Sequence, residues 1–317
     1  MVGHGAGEAG SERPGLGSSG IGLDSPYRFQ NRSIDVRILI TNDDGVFAPG
    51  IEALARGLAA RFDGVHELIV VAPLVDHSGA GAAVGAVYER ESIPYESVQV
   101  PGLEHVPTYG VDGPPALAVI LACIEGFGPR PDMIVSGVNN GMNAGRSALH
   151  SGTVGAALTA AQFGLRGVAV SIAWSSDPVP WKTPVTLACN LVPVLAAAER
   201  GTVLNLNVPA VPLGELRGVR AGALGRVGLI RSARSAQTVD EVHARQAVAM
   251  GGAITLTLRG ARGSDAGEEA AEVDPESDAG LVADRWASLT PILGIREDRS
   301  TGGIEVLAKA LAEAQPR

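Results

Sequence analysis

Residues 36–51 read VRILITNDDGVFAPGI, and this stretch decides the fold. Val36 to Thr41 is a short β-branched run of the kind that forms a strand buried on both faces of a parallel sheet. It stops at Asn42-Asp43-Asp44-Gly45. Pro49 then opens a helical pattern in which Ile51, Leu54, Ala55 and Leu58 share one face, and proline is well placed in a first helical turn. The unit is therefore strand, polar loop, helix.

The same unit recurs downstream. LIVVAP (68–73), PDMIVSG (131–137), GVAVSIA from 167 and VLNLNVP (203–209) read as strands, and PPALAVILACI (114–124), the segment from about 151, and TLACNLVPVLAAAE read as helices. Strands alternating with helices predict an α/β fold, a doubly wound, mostly parallel, Rossmann-like sheet over residues 34–211. Residues 1–33 are Gly/Ser-rich without apolar periodicity and read as a flexible tail. From 212 to 317 short β-like runs (GVRAGAL, RVGLIRSA, RQAVAM, AITLTLR) suggest an antiparallel β-hairpin extension, followed by SLTPI and an amphipathic helix over 302–314. Between them GSDAGEEAAEVDPESDAG carries seven acidic and no basic residues and reads as a solvated loop.

Composition narrows the function classes. The chain has 317 residues, 45% hydrophobic and 19% charged, ordinary globular values that exclude a wholly disordered chain or a coiled coil. With 4% aromatics and 42 glycines, its core must be built from small aliphatic side chains. Against 34 acidic residues stand 25 basic ones, a net charge of −9, so no affinity for a nucleic-acid polymer is expected. An anionic substrate would need local positive charge or a metal. Cys123 and Cys189 are too few for a disulfide framework and read as buried, reduced core residues. No secretory signal or membrane-spanning run is visible, so a soluble cytoplasmic protein with no membrane partner is the expectation.

In open α/β sheets ligands bind beyond the carboxyl ends of the strands, and here those ends carry unusual polar groups. Adjacent Asp43 and Asp44 repel unless solvent, hydrogen-bond donors or a cation intervenes. With nearby Asn and Ser oxygens they suit a hard divalent ion, magnesium or manganese, although an Asx-turn capping the next helix would use the same residues. His150-Ser151-Gly152-Thr153 precedes a helix whose first N–H groups could cradle phosphate, or Ser151 could be an ordinary N-cap. The glycines of Ser78-Gly79-Ala80-Gly81 could serve a ligand or a tight loop. His77 and His150 could donate a proton or lie idle on the surface, and Arg146 could hold phosphate or be solvated. The arginines at 217, 220, 226, 231, 234 and 245 read as the outer face of a hairpin, or could contact a partner or nucleotide.

Four motifs in order resemble the SurE stationary-phase survival proteins, metal-dependent 5'/3'-nucleotidases. ILITNDDGVFAPGI resembles that family's opening strand and Asp-Asp-Gly loop, VVAPLVDHSGAG its serine loop, PDMIVSGVNNGMN its asparagine loop and HSGTVGAA its Ser-Gly-Thr-Val turn; LNLNVP and SLTPI look like later landmarks. The resemblance implies that Asp43, Asp44, Ser78 and Asn139 bind one divalent cation per subunit, that Ser151, Gly152 and Thr153 lie beside the phosphate, and that Asn42, Gly79 and Asn143 contribute to phosphate or substrate binding. It also implies exchange of C-terminal β segments within a homodimer or homotetramer. Two departures stand out. Gly113-Pro114-Pro115-Ala116-Leu117-Ala118 replaces the usual Gly-Thr-Pro-Ala-Asp-Cys, and His150 replaces the usual tyrosine.

The resulting expectation is a metal-dependent phosphomonoesterase that hydrolyses nucleoside monophosphates, with Asp43 and Asp44 catalytic. A phosphatase for a non-nucleotide ester and a non-catalytic, metal-dependent nucleotide or metabolite sensor are the alternatives. An aspartyl-phosphate mechanism ranks below these, because Asn42 stands where the first residue of an Asp-x-Asp pattern would be.

Overall fold

The structure is a computed structural model and describes residues 36–226, 230–236, 253–258 and 273–295. The tail over 1–33, RQAVAM and the helix over 302–314 lie outside the described residues. Along the chain run β1 (Arg37–Thr41), α1 (Pro49–Phe62), β2 (Glu67–Pro73), β3 (Tyr95–Ser97), β4 (Thr108–Val111), α2 (Pro115–Cys123), β5 (Met133–Asn140) and α3 (Gly152–Gln162). There follow β6 (Arg166–Ile172), α4 (Lys182–Ala197), β7 (Val203–Val208), β8 (Gly218–Ala221), β9 (Ile230–Ala236), β10 (Ala253–Leu258), α5 (Asp278–Ala283) and β11 (Trp286–Ile292).

One nine-stranded sheet, ordered β3-β4-β2-β1-β5-β6-β7-β11-β8, organises the molecule. From β4 to β7 every neighbouring pair is parallel. The chain winds outward from β1 through β2 to β4, then returns to the other side of β1 and winds through β5, β6 and β7. Its direction therefore reverses between β1 and β5, and the crevice at such a switch point is where doubly wound sheets bind ligands.

Burial follows from strand alternation. Ile38 and Ile40 pack into the cluster holding Leu54 and Leu58 of α1 and Leu187 of α4, whereas Leu39 faces the cluster of Val119 and Ala160 from α2 and α3. All five residues of β1 are buried, as its two-faced apolar pattern predicts. Cys123 and Cys189 are free and buried in these layers; burial pushes the Cys123 thiol up to about 11 and raises that of Cys189. Among the described residues no helix is long and apolar enough to cross a membrane.

Past residue 212 the pattern is mixed. β9 and β10 form the expected antiparallel hairpin. β8, read from sequence as part of a hairpin, instead runs parallel to β11, and β11 pairs antiparallel with β7, so both extend the main sheet. The acidic stretch is also not solvated throughout. Its last carboxylate, Asp278, opens α5 and is fully buried. Arg217 and Arg220 stack over Trp286 and pair with Asp284 and Glu276, which gives them a structural role at the sheet edge.

Candidate metal and phosphate site

Three loops and one helix meet at the carboxyl edge of β1 and β5. Leaving β1, the fully buried Asn42 closes its own turn by donating from Nδ2 to the Gly45 carbonyl at 2.8 Å. Gly45 sits at φ +104°, and a side chain there would meet the Val75 backbone at 3.3 Å. This turn leaves Asp43 only 3% exposed and Asp44 half-buried.

After β2 the serine loop is fastened to the same turn. The His77 N–H donates to the Asp43 carbonyl at 2.7 Å, and the Ser78 N–H donates to the Asp76 carboxylate at 2.7 Å, an Asx-turn. Ser78 and Gly79 remain exposed. Gly81 donates to the His150 carbonyl at 3.0 Å and leaves so little room that a Cβ on Gly155 would fall 2.2 Å from the Gly81 oxygen. Small residues in both segments let the loop seat directly on the first turn of α3.

That first turn faces Asp43. Ser151 is the N-cap, its hydroxyl accepting from the Val154 N–H at 3.1 Å, and the buried Thr153 donates its hydroxyl to Asp43 Oδ1 at 2.5 Å. Gly152 allows the approach: a Cβ there would lie 2.6 Å from Asp43 Cβ. Burial raises the Asp43 carboxyl above its ordinary value, against the downward pull of the Thr153 hydroxyl and of nearby N–H groups, including those of Thr153 and Gly152. Asp44 is pushed up to about 7, first by burial and then by the charges of Asp43 and Asp76. Among the described residues no lysine or arginine forms an ion pair with any of the three.

At the end of β5, Asn139 donates from Nδ2 to the Gly141 carbonyl at 2.7 Å, which leaves its Oδ1 for another partner. Asn140 is taken up in a reciprocal pair with the Ser175 backbone at 3.1 Å. Asn143 is buried. Its Nδ2 donates to Ser171 Oγ at 2.9 Å, its N–H to Asn207 Oδ1 at 2.9 Å, and its carbonyl accepts from Asn205 and Asn207. In this structure Asn143 therefore anchors its loop.

The sequence-predicted residues Asn42, Asp43, Asp44, Ser78, Gly79, Asn139, Ser151, Gly152 and Thr153 thus lie on loops and a helix end at the carboxyl edge of the sheet, and hydrogen bonds join the Asp43 turn to the serine loop and to the first turn of α3. Asp76 was missed, although an Asp two residues before a Ser is an Asx-turn signal. The anchoring asparagines were also missed, although the period-two spacing of Asn205 and Asn207 in a buried strand places both side chains on one face. Of the two departures, Leu117 is 5% exposed and touches Gly113 in the core, and His150 is exposed.

The donor chemistry fits a hard cation. Asp43, Asp44, Ser78 and Asn139 offer oxygen only, which suits magnesium or manganese over softer metals. No group of three or more His, Cys, Asp or Glu side chains suited to a metal occurs among the described residues. Asn42 Oδ1, buried without a hydrogen-bond partner, adds a further unmatched oxygen in the same turn.

The Survival protein SurE family profile matches residues 38–229. The 5'-nucleotidase SurE of Natranaerobius thermophilus is 35% identical over 190 residues, 58% of this chain and 71% of that one. The 5'/3'-nucleotidase SurE of Photorhabdus laumondii is 32% identical over 259 residues, covering 81% of this chain and 89% of the relative. Among solved structures, the SurE protein from Aquifex aeolicus shares the fold with a TM-score of 0.64 at 23% identity, over 86% of this chain and 99% of its own. The winding order, the four loop motifs and a profile match spanning more than half of the sequence agree: this chain belongs to the SurE family.

Proposed function

We propose that this chain is a phosphomonoesterase that hydrolyses nucleoside monophosphates to nucleoside and phosphate, using one divalent cation, magnesium or manganese, held by Asp43, Asp44, Ser78 and Asn139. The observation that carries the reading is the pair Asp43–Asp44 at the switch point, the first buried and the second half-buried, with no lysine or arginine ion-paired to either among the described residues and with Asp43 bonded to the first turn of α3. SurE nucleotidases are metal-dependent as a class, and the relatives named above are nucleotidases. When bound, the cation supplies positive charge to a phosphoryl oxygen and lowers the pKa of a water.

The chain's own residues supply the rest. The start of α3, whose Gly152 and Thr153 N–H groups also act on Asp43, offers a positive dipole end and N–H donors to phosphoryl oxygens. Thr153 fixes Asp43 so that its second oxygen keeps one orientation. Asp43 and Asp44 lie at the carboxyl edge of β1, where either can orient an attacking water and take its proton; burial raises both above ordinary carboxylates. Asn42 and Gly79 shape the walls of the crevice, and Asn143 holds the asparagine loop. Homodimer or homotetramer assembly and a cytoplasmic location belong to the same proposal.

The test is inorganic phosphate release from nucleoside monophosphates and other phosphate esters after chelation and add-back of magnesium or manganese. Metal-dependent release that falls by about 10²–10⁴ in Asp43→Asn supports the reading. Metal-dependent nucleotide binding with no release from any ester would refute it in favour of a sensor. Retained turnover in a folded Asp43→Asn protein would refute the role of Asp43.

A further inference from the structure

Asp278 lies beyond the residues matched by the family profile and outside every site motif. It is 0% exposed, and among the described residues no lysine or arginine forms an ion pair with it. Among the described residues, backbone N–H groups meet its charge. Oδ2 accepts from Gly145 at 2.7 Å, and Oδ1 accepts from Gly225 at 3.0 Å and from Ala279 at 2.9 Å.

Its own helix does not need it as a cap. Ser277 already caps α5 by accepting from the Gly280 N–H at 3.1 Å. The element that does need an acceptor is the 3-10 turn Gly145–His150, whose cap position is Ala144, a residue with no side-chain acceptor. Asp278 supplies it from 133 residues away. That turn runs from the asparagine loop into Ser151, the cap of α3, while Asn205 and Asn207 hold the loop at Asn143.

Burying a carboxylate without a counter-charge is unfavourable, so the position must need what only a carboxylate supplies. Two oxygens collecting three N–H donors is a demand an amide cannot meet, since its NH₂ would confront one of them. We propose that Asp278 is a positioning residue of the phosphomonoesterase site. It fixes the segment from Asn143 to Ser151, and through that segment the Asn139 ligand at one end and the N–H groups of α3 at the other. This rests on the functional reading above.

The experiment compares full-length wild type, Asp278→Asn and Leu58→Ala, the last a destabilised control in the α1 core. Measured are manganese binding, steady-state kinetics at a temperature where all three are folded, and hydrogen exchange by mass spectrometry. In Asp278→Asn, exchange over 141–151 is expected to rise at least tenfold with β1 unchanged, kcat to fall at least tenfold, and the manganese dissociation constant to rise several-fold. Leu58→Ala should keep wild-type values of kcat and manganese affinity. Should Asp278→Asn fail to fold, Asp278→Ser, which removes the buried charge, is read in the same way. Wild-type exchange over 141–151, or a kcat loss matched by Leu58→Ala, would overturn the proposal. A wild type that releases no phosphate would sink the functional reading, whereas exchange and manganese binding would still decide whether Asp278 positions the loop.

Discussion

Replacing Gly152 with alanine adds one methyl group where the first turn of α3 meets Asp43. The new Cβ would lie 2.6 Å from Asp43 Cβ, 2.9 Å from Asp43 Oδ2 and 3.0 Å from Pro115 Cγ, whereas ordinary contact begins at 3.4 Å. Asp43 cannot easily yield, because its carbonyl is bonded to the His77 N–H and its side chain is buried. Pro115 is fixed at the start of α2. The first turn of α3 must therefore retreat by the difference between 2.6 and 3.4 Å, about 0.8 Å. Overpacking of this kind costs about 1–3 kcal/mol of stability. The larger effect falls on the chemistry. The displaced turn carries the Thr153 hydroxyl that orients Asp43 and the N–H groups proposed to receive phosphate, and a misplacement of roughly 1 Å costs on the order of 10² in rate. Steady-state phosphate release at saturating manganese should show kcat down by about 10–100-fold, with a melting temperature only a few degrees lower. A folded Gly152→Ala protein with wild-type kcat would refute the idea that the approach of α3 to Asp43 is set for catalysis.

Three other outcomes follow from the same geometry. Thr153→Val removes the donor to a buried carboxylate and should cost about 1.5–3 kcal/mol in denaturant unfolding of the metal-free protein; an unchanged midpoint would show that the bond contributes nothing. Thr41 and Ser136, register partners on β1 and β5, carry buried hydroxyls with no hydrogen-bond partner, so Thr41→Val should be neutral or stabilising by about 1 kcal/mol, and a clear loss of stability would contradict the assignment. Asp44 holds its proton up to about pH 7, far above the ordinary carboxylate value of 3.8, so between those values the folded chain binds the proton more tightly than the unfolded one. The contribution of Asp44 to the stability of the metal-free protein is therefore full below the ordinary value and falls as pH rises toward 7. A cation must displace that proton, so manganese affinity measured by calorimetry should rise by about tenfold per pH unit up to 7 and then level; a flat profile from pH 5 to 7 would refute a metal role for Asp44.

Sequence made the parallel core legible because its strands are continuous apolar runs whose helices follow within a few residues. What it hid depends on distant partners. β4 is four residues long with Gly110 at its centre, and the gap that glycine leaves is filled by Leu74, so a segment with little strand character becomes a strand by tertiary packing. β8 resembled a hairpin arm because its true partner, β11, lies beyond a long insertion. Asp278 looked solvated because its neighbours in sequence are acidic; what buries it are N–H groups from the asparagine loop, from Gly225 and from α5. At the site the motif residues stood out as polar groups at strand ends, whereas Asp76 did not, since its part is played within its own turn.

Asp76 also helps to decide between the two readings that sequence left open for the Asp43–Asp44 pair. An aspartate that only makes a turn looks like Asp76: exposed, with its carboxylate on the N–H two residues ahead. Asp43 differs in each respect. It is almost completely buried, its side chain is bonded to a hydroxyl 110 residues away, and the turn it occupies is closed by Asn42 instead. Asp44 next to it is held in so poor a place for a charge that its carboxyl stays protonated to about pH 7. A turn does not require that expense. With an anionic phosphate ester added, like charges would crowd the crevice, and the N-terminal dipole of α3, equivalent to roughly half a positive charge, cannot offset them. A divalent cation held by these oxygens, as proposed, would reverse the sign of the field in the crevice, and the unfavourable burial of the carboxylates would become a driving force for its binding.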